Sequence, residues 1–407
     1  MAYFYDTCAL LNEQENLFAG DKEKFYISIV SIQELENIKT SGSKDEDTKW
    51  KARNLVRLLN QYEDKYTVIN YDPVWDEQLI KDKIQPNNDA RIIYTASTIE
   101  GVTFVTDDLT CKILSKKYNL KTVTLEDNSD DYAGYIEKNL NEAELAKFYN
   151  YAYSNINIYG LLENQYLIIK LNGQVVSKYK WLDNKYVEIF KPKFESRFFG
   201  KLSGQDAYQD LALDSLSSNK ITVLRGKAGS GKSYLGLGYL MTLLEKGSID
   251  RIIIFCNTVA TKDSCKLGFY PGSKDEKLLD SQIGNFLLGK LGDEFEVEKL
   301  VHDGKIMLVP VADCRGMDTT GMNAGVYFTE AQNATIDMMK LMLQRIGEDS
   351  ICVVEGDDKA QVDMTVYNGR NNGLRRLSEV FRGENYYGEI TLQQCHRSRI
   401  AEHAELM

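Results

Sequence analysis

Residues Gly226, Lys227, Ala228, Gly229, Ser230, Gly231, Lys232 and Ser233 fill every fixed position of the phosphate-loop pattern GxxxxGK[ST]. Glycines spaced in this way let backbone N–H groups close around an anionic phosphate at the positive end of a helix. There Lys232 can reach the β- and γ-phosphates, and the Ser233 hydroxyl can ligate Mg²⁺. The loop needs a strand before it and a helix after it. Both are legible, because Ile221-Thr222-Val223-Leu224 is β-rich and residues 234–244 form an apolar, helix-like run.

A second set of chemistry-bearing residues lies near the start of the chain. The β-rich run Tyr3-Phe4-Tyr5 ends in Asp6, residues 25–30 lead to Glu34 in a helix start, Asn87-Asn88-Asp89 opens a helix-like run, and residues 102–106 end in Asp107-Asp108. These positions are the carboxyl ends of expected parallel strands or the helix starts beside them, and that edge of an open α/β sheet is where ligands bind. Carboxylates held close repel one another unless a divalent cation neutralises them, which suggests Mg²⁺ or Mn²⁺. Two such ions about 4 Å apart activate a water and stabilise the leaving oxygen of a phosphodiester. Taken singly, Asp6, Asp89 or Asp108 is better explained as a helix cap.

The order of the four acidic residues resembles that of the PIN-domain ribonucleases. The matching pieces are Asp6-Thr7 after a strand, Glu34-Leu35 on a helix, Asn88-Asp89 before a helix, and Thr106-Asp107-Asp108 after a later strand. The resemblance covers nearly all of the first 125 residues. It implies metal-dependent cleavage of single-stranded RNA, with Asp6, Glu34, Asp89 and Asp108 as metal-holding catalytic residues and Asp107 as a supplement.

At 407 residues the chain is too long for one compact core and calls for two or three domains. A net charge of −11 argues against a protein whose whole surface clamps nucleic acid, although Lys191, Lys193, Arg197 and Lys201 form one local basic cluster and Arg370, Arg375, Arg376 and Arg382 another. The seven cysteines show no C-x-x-C spacing, and His302, His396 and His403 are too few for a zinc ribbon. No apolar run is long enough to span a bilayer, and Met1-Ala2-Tyr3-Phe4-Tyr5-Asp6 does not begin a signal segment; the expected location is cytoplasmic, without a membrane partner.

We expect three parts: residues 1–128, a linker or small β module over 129–200, and residues 201–407. In the middle part the spacing predicts a short helix over 139–150 and a β-hairpin turning at Asn172-Gly173 between residues 165–170 and 175–179. In the last part, apolar strands over 251–255, 305–311, 325–328, 350–354 and 389–392 read as a mostly parallel sheet flanked by helices. Glu330 follows one of these strands and suits a general base. The run Glu355-Gly356-Asp357 ends another, Gln361 is placed to sense a γ-phosphate, and Arg397 suits an arginine finger.

Residues 201–407 resemble the PhoH family, relatives of superfamily-1 helicases. The resemblance rests on Gly268-Phe269-Tyr270-Pro271-Gly272, Glu330-Ala331-Gln332-Asn333, Gly356-Asp357 with Gln361 and Asp363, Asn372-Gly373-Leu374 and Arg397-Ser398. It implies that Gln209 reads adenine and that subunits assemble into a homo-oligomer, a hexameric ring. One position departs from the family pattern, since Thr329 stands where an Asp usually precedes Glu-Ala-Gln and helps hold Mg²⁺. Asp357 is the expected compensation.

The sequence therefore reads as an α/β chain: a PIN-like α/β sandwich, a small β-containing connector and a P-loop NTPase domain of superfamily-1 helicase type. Its expected function is ATP-dependent RNA remodelling joined to metal-dependent cleavage of single-stranded RNA. The alternatives are a nucleotide-binding, RNA-binding module with little hydrolysis, which regulates the nuclease, and an ATPase ring that serves only to present the nuclease.

Overall fold

The computed structural model describes residues 2–18, 24–42, 44, 46–125, 132–256, 289, 294–357 and 372–395. The chain divides into two compact units, residues 1–131 and 132–407.

The first unit is built on a parallel sheet of β1 (Tyr3–Tyr5), β2 (Phe25–Ser28), β3 (Tyr66–Ile69), β4 (Thr103–Val105) and β5 (Lys121–Val123), in the order β3-β2-β1-β4-β5. Phe4, Ile27 and Phe104 are fully buried in these strands. Helix Asn88–Ser97 covers one face with Ile92, Ile93 and Ala96, whose spacing places them on one side of a helix. The strand order reverses between β1 and β4, so the crevice of this sheet opens beyond the ends of those two strands. Asp6 and Thr106 are the residues that follow them.

The second unit contains a parallel sheet of β12 (Ile221–Gly226), β13 (Arg251–Cys256), β14 (Ile306–Pro310), β15 (Ala324–Phe328), β16 (Ile351–Gly356) and β17 (Tyr387–Leu392), in the order β14-β13-β15-β16-β12-β17. Alternate side chains enter opposite cores. Leu224, Ile252, Ile254, Tyr327 and Val353 pack on one face, and Val223, Ile253, Phe255, Val326, Phe328 and Val354 on the other. A sheet buried on both faces explains why these strands read as continuous apolar runs.

The connector belongs to this second unit. Its sheet, β6 (Tyr135–Leu140), β7 (Tyr166–Leu171), β8 (Gln174–Leu182) and β9 (Lys185–Glu188), is joined by helix Glu142–Tyr153 and followed by the two-stranded sheet of β10 (Phe194–Ser196) and β11 (Gly200–Leu202). The expected hairpin is β7–β8, with Asn172 and Gly173 at φ 50° and 81°, the left-handed pair that a two-residue turn of this hand requires. The expected helix over 139–150 is corrected to 142–153: Asn139 and Leu140 complete β6, and Asn141 caps the helix in a capping box with Glu144. As expected of aromatics in strands, Tyr179, Trp181 and Tyr186 pack with Phe148 in the module's own core.

Tyr166 and Ile168 on the other face of the module join the core beneath helix Ala207–Ser218. Lys178 Nζ reaches Asp210 Oδ2 at 2.6 Å, and Lys180 Nζ and Tyr166 Oη reach Asp214 Oδ2 at 2.9 and 2.8 Å. The Lys180 side chain is only 4% exposed, so its charge depends on Asp214. Asp214→Ala is therefore expected to lower stability by about 3 kcal/mol in urea unfolding, because it strands a buried ammonium.

Candidate active sites

In the amino-terminal unit a pocket of about 370 Å³ opens beyond β1 and β4 and is lined by Asp6, Glu34, Asp89 and Asp108, the four acidic residues singled out in the sequence. Asp6 is buried at the end of β1; its Oδ1 caps helix Thr7–Glu13 by accepting the Ala9 N–H at 2.7 Å, and its Oδ2 accepts the Thr106 hydroxyl. Burial pushes the Asp6 carboxyl up to about 6, more than these hydrogen bonds hold it down. Glu34 accepts the Asn88 amide at 2.9 Å on one oxygen and the Thr7 hydroxyl on the other. Asp89 and Asp108 stand on the exposed rim. Partial desolvation, with the charges of Glu34 and Asp108 added, raises the Asp89 carboxyl.

Asp108 is also a helix cap, with Oδ1 accepting the N–H groups of Thr110 and Cys111 at 2.6 and 3.1 Å. Cap and site residue are thus compatible readings, since one oxygen serves the helix while the carboxylate still faces the pocket. Asp107 has a different place: its oxygens accept Asn12 Nδ2 at 2.9 Å and the Leu125 N–H at 2.8 Å, and it does not line the pocket. Thr7, Asn88 and Thr106 were visible only as neighbours of acidic residues, yet they orient those residues. Lys44, which carried no signal in the sequence, adds a positive charge to the lining.

Among the described residues no three of these side chains converge as a ready-made metal cage. The donor set nonetheless suits a hard divalent cation that keeps part of its water shell, because such ions take one or two carboxylates and dehydrate reluctantly. Desolvation raises Asp89 first and the charges of Glu34 and Asp108 add to it, and a bound cation would offset both.

In the second unit, β12 runs into the loop Gly226–Ser233, and helix Lys232–Glu245 starts at its end. Gly226, Gly229 and Gly231 have φ of 141°, 83° and 97°. A Cβ on Gly226 would lie 2.6 Å from the Leu392 carbonyl oxygen of β17, so the loop needs glycine there for both conformation and space. Gly226→Ala is expected to cost about 1–3 kcal/mol of stability and to weaken nucleotide binding, measured by urea unfolding and by titration with a fluorescent ATP analogue.

Lys232 Nζ donates to the carbonyls of Gly226 and Lys227, so its ammonium lies over the loop that a phosphate would enter. Lys227 is exposed, and the Ala228 carbonyl accepts the Cys395 thiol at 3.6 Å. Gln209, expected to read adenine, is buried beside the loop and braces it: Nε2 donates to the Ser230 carbonyl at 3.0 Å, and Oε1 accepts the Gln205 N–H at 2.9 Å. Glu330 is exposed just past β15, at φ 51°, with Oε2 accepting Gln332 Nε2 at 2.6 Å. Gln332 also accepts the Asp357 N–H at 3.1 Å on Oε1, and its carbonyl accepts Asn372 Nδ2 at 2.9 Å, tying three sequence motifs together. Gln361 and Arg397 lie outside the described residues, as do Gly268-Phe269-Tyr270-Pro271-Gly272, Asp363, Arg370 and Ser398.

The carboxylate that meets Ser233 is that of Glu355, expected from the sequence only as one of the strand-ending polar groups that could sense a γ-phosphate. It is 3% exposed, and both its oxygens lie 3.0 Å from Ser233 Oγ. Burial raises its carboxyl, opposed by the Tyr327 phenol, the Lys232 charge and the Thr329 hydroxyl. An acidic residue closing the apolar run Ile351-Cys352-Val353-Val354 was the available signal.

Comparison with known proteins agrees with this division. Residues 201–407 match the family model described as PhoH-like protein, and residues 3–126 match a PIN domain. Protein PhoH2 of Bacillus subtilis (strain 168) is 24% identical over 443 residues, covering 98% of this chain and 98% of its own. Protein PhoH2 of Thermobispora bispora is 30% identical over 204 residues, or 49% of this chain and 46% of the relative. A PhoH-like protein of Mycobacterium tuberculosis is 33% identical over 170 residues, 41% of this chain and 46% of its own. No helix among the described residues is long and apolar enough to cross a membrane. With a phosphate loop on a parallel sheet, a carboxylate-lined pocket before it, and both family models in that order, this chain belongs to the PhoH-like protein family and carries an amino-terminal PIN domain.

Proposed function

We propose that this chain is an ATP-dependent RNA helicase or remodeller that also cleaves single-stranded RNA with its PIN domain. The observation that carries the reading is the presence, in one chain, of a four-carboxylate pocket and a phosphate loop with its lysine and serine in place. In the ATPase, Lys232 and Ser233 hold the phosphates and their Mg²⁺, Glu330 orients the attacking water, Gln361 senses the γ-phosphate and Arg397 balances transferred charge. In the nuclease, Asp6, Glu34, Asp89 and Asp108 hold Mg²⁺ or Mn²⁺, which supplies an activated water and neutralises the leaving oxygen. The chain works in the cytoplasm as a homo-oligomer, a hexameric ring.

The test is ATP hydrolysis in Mg²⁺ with and without single-stranded RNA, run beside cleavage of the same RNA. RNA-stimulated turnover that Lys232→Ala removes supports the reading, and absence of turnover in the native chain overturns the motor. The second reading, a nucleotide-gated module with slow turnover, is favoured by Thr329 in place of the usual Asp. Tight ATP binding without hydrolysis would select it. Asp89→Asn is expected to reduce RNA cleavage by about 100-fold while leaving ATP turnover unchanged, checked by the two assays side by side.

A further inference from the structure

Thr329 removes a carboxylate from the end of β15, and the structure places another one directly across the strand pair. The parallel register of β15 and β16 aligns Gly325 with Ile351 and Phe328 with Val354, so the next position sets Thr329 beside Glu355. Thr329 Oγ1 donates to Glu355 Oε1 at 2.9 Å. On its other side β16 pairs with β12, the strand that delivers the phosphate loop, with Leu224 opposite Glu355. Glu355 is thus wedged between the strand that lost the acidic residue and the strand that presents the phosphate site.

The hydrogen bonding at this point has a direction. The Ser233 hydroxyl carries a single proton, and its oxygen lies 3.0 Å from both carboxylate oxygens, so the proton turns toward Glu355 and the lone pairs turn away from it. A hydroxyl that ligates a cation must offer those lone pairs, and a carboxylate behind it fixes their orientation and adds negative charge. Thr329 performs the matching task on Glu355 itself, holding one of its oxygens from the neighbouring strand.

We propose that Glu355, not an acidic residue at position 329 and not Asp357, is the carboxylate through which this chain holds the divalent cation of its bound nucleotide. The proposal rests on the nucleotide-binding reading above. Thr329 and Glu355 then form an exchanged pair: the acid has moved to the adjacent strand, and a hydroxyl occupies its former place and positions it.

The experiment is titration of the intact chain with a fluorescent ATP analogue in Mg²⁺ and in EDTA. In the native chain Mg²⁺ tightens binding. In Glu355→Gln, affinity in Mg²⁺ falls by about 10- to 100-fold, whereas affinity in EDTA does not fall. Adding Thr329→Asp to that variant restores Mg²⁺ dependence, a recovery that a merely structural role for Glu355 does not produce. If Glu355→Gln does not fold, Glu355→Asp keeps the charge and is expected to show intermediate Mg²⁺ dependence. A folded variant at position 355 with native Mg²⁺ dependence overturns the proposal and leaves nucleotide binding standing. A native chain that binds no nucleotide in either condition overturns both.

Discussion

Lys232→Ala is expected to lower ATP turnover by about 10²- to 10³-fold, the usual cost of removing one donor aimed at charge that develops in the transition state. Lys232 is the first residue of helix Lys232–Glu245, and its ammonium lies within reach of two loop carbonyls, Gly226 and Lys227. An entering phosphate takes over that ammonium, exchanging neutral acceptors for an anion. The backbone N–H groups at the helix start survive the substitution, so weak binding persists while turnover collapses. The fold also survives, because the core face of this helix is Leu235, Leu237, Leu240 and Met241. Steady-state phosphate release checks the effect, and unchanged turnover would remove the loop from the chemistry. Measuring RNA cleavage on the same variant adds a second result: unchanged cleavage would mean that the ATPase only presents the nuclease.

What could be read from the sequence was whatever depends on short-range spacing. The phosphate loop carries its own strand and helix within about 25 residues, and the hairpin at Asn172-Gly173 is specified by two residues that accept positive φ. Asp6, Asp89 and Asp108 were legible because each closes a strand or opens a helix, and Glu34 because it lies on the helix Ile29–Thr40 that follows a β-rich run; their order survives any error in pairing. The missed features depend on long-range pairing. Glu355 becomes informative only once β15 and β16 are in register, 26 positions apart. The hydroxyl that holds Asp6 comes from Thr106, and the amide that holds Glu34 from Asn88. Lys178 and Lys180 look like ordinary solvated charges until Asp210 and Asp214 of another element meet them. Asn139 and Leu140 were drawn into a helix because the better start signal, Asn141 with Glu144, lies only two residues later.

Asp6→Asn is expected to lower nuclease activity by about 100-fold and, in the absence of divalent cations, to stabilise the amino-terminal unit. The folded chain raises the Asp6 carboxyl from 3.8 to about 6, so folding favours its protonated form. Stability contributed by this group is therefore fully present below pH 3.8 and lost as pH rises through the folded value near 6. Above that window the ionised, buried carboxylate costs about 3 kcal/mol, two pK units at 1.4 kcal/mol each. Asparagine has the same shape, caps helix Thr7–Glu13 equally well through Oδ1, and never ionises. It gives up the Thr106 hydroxyl as a donor to Oδ2, which offsets part of the gain. The net expectation in EDTA is a gain of about 1–2 kcal/mol at pH 7.5 that disappears at pH 4. Hydrogen exchange followed on peptides from β1 and β4 isolates this unit within the intact chain. RNA cleavage in Mg²⁺ should fall by about 100-fold in the same variant, since the carboxylate that destabilises the empty fold is the one that a cation needs. A variant less stable than the native chain at pH 7.5, or equally stabilised at both pH values, would show that Asp6 is a structural cap and not a charge held ready for a metal.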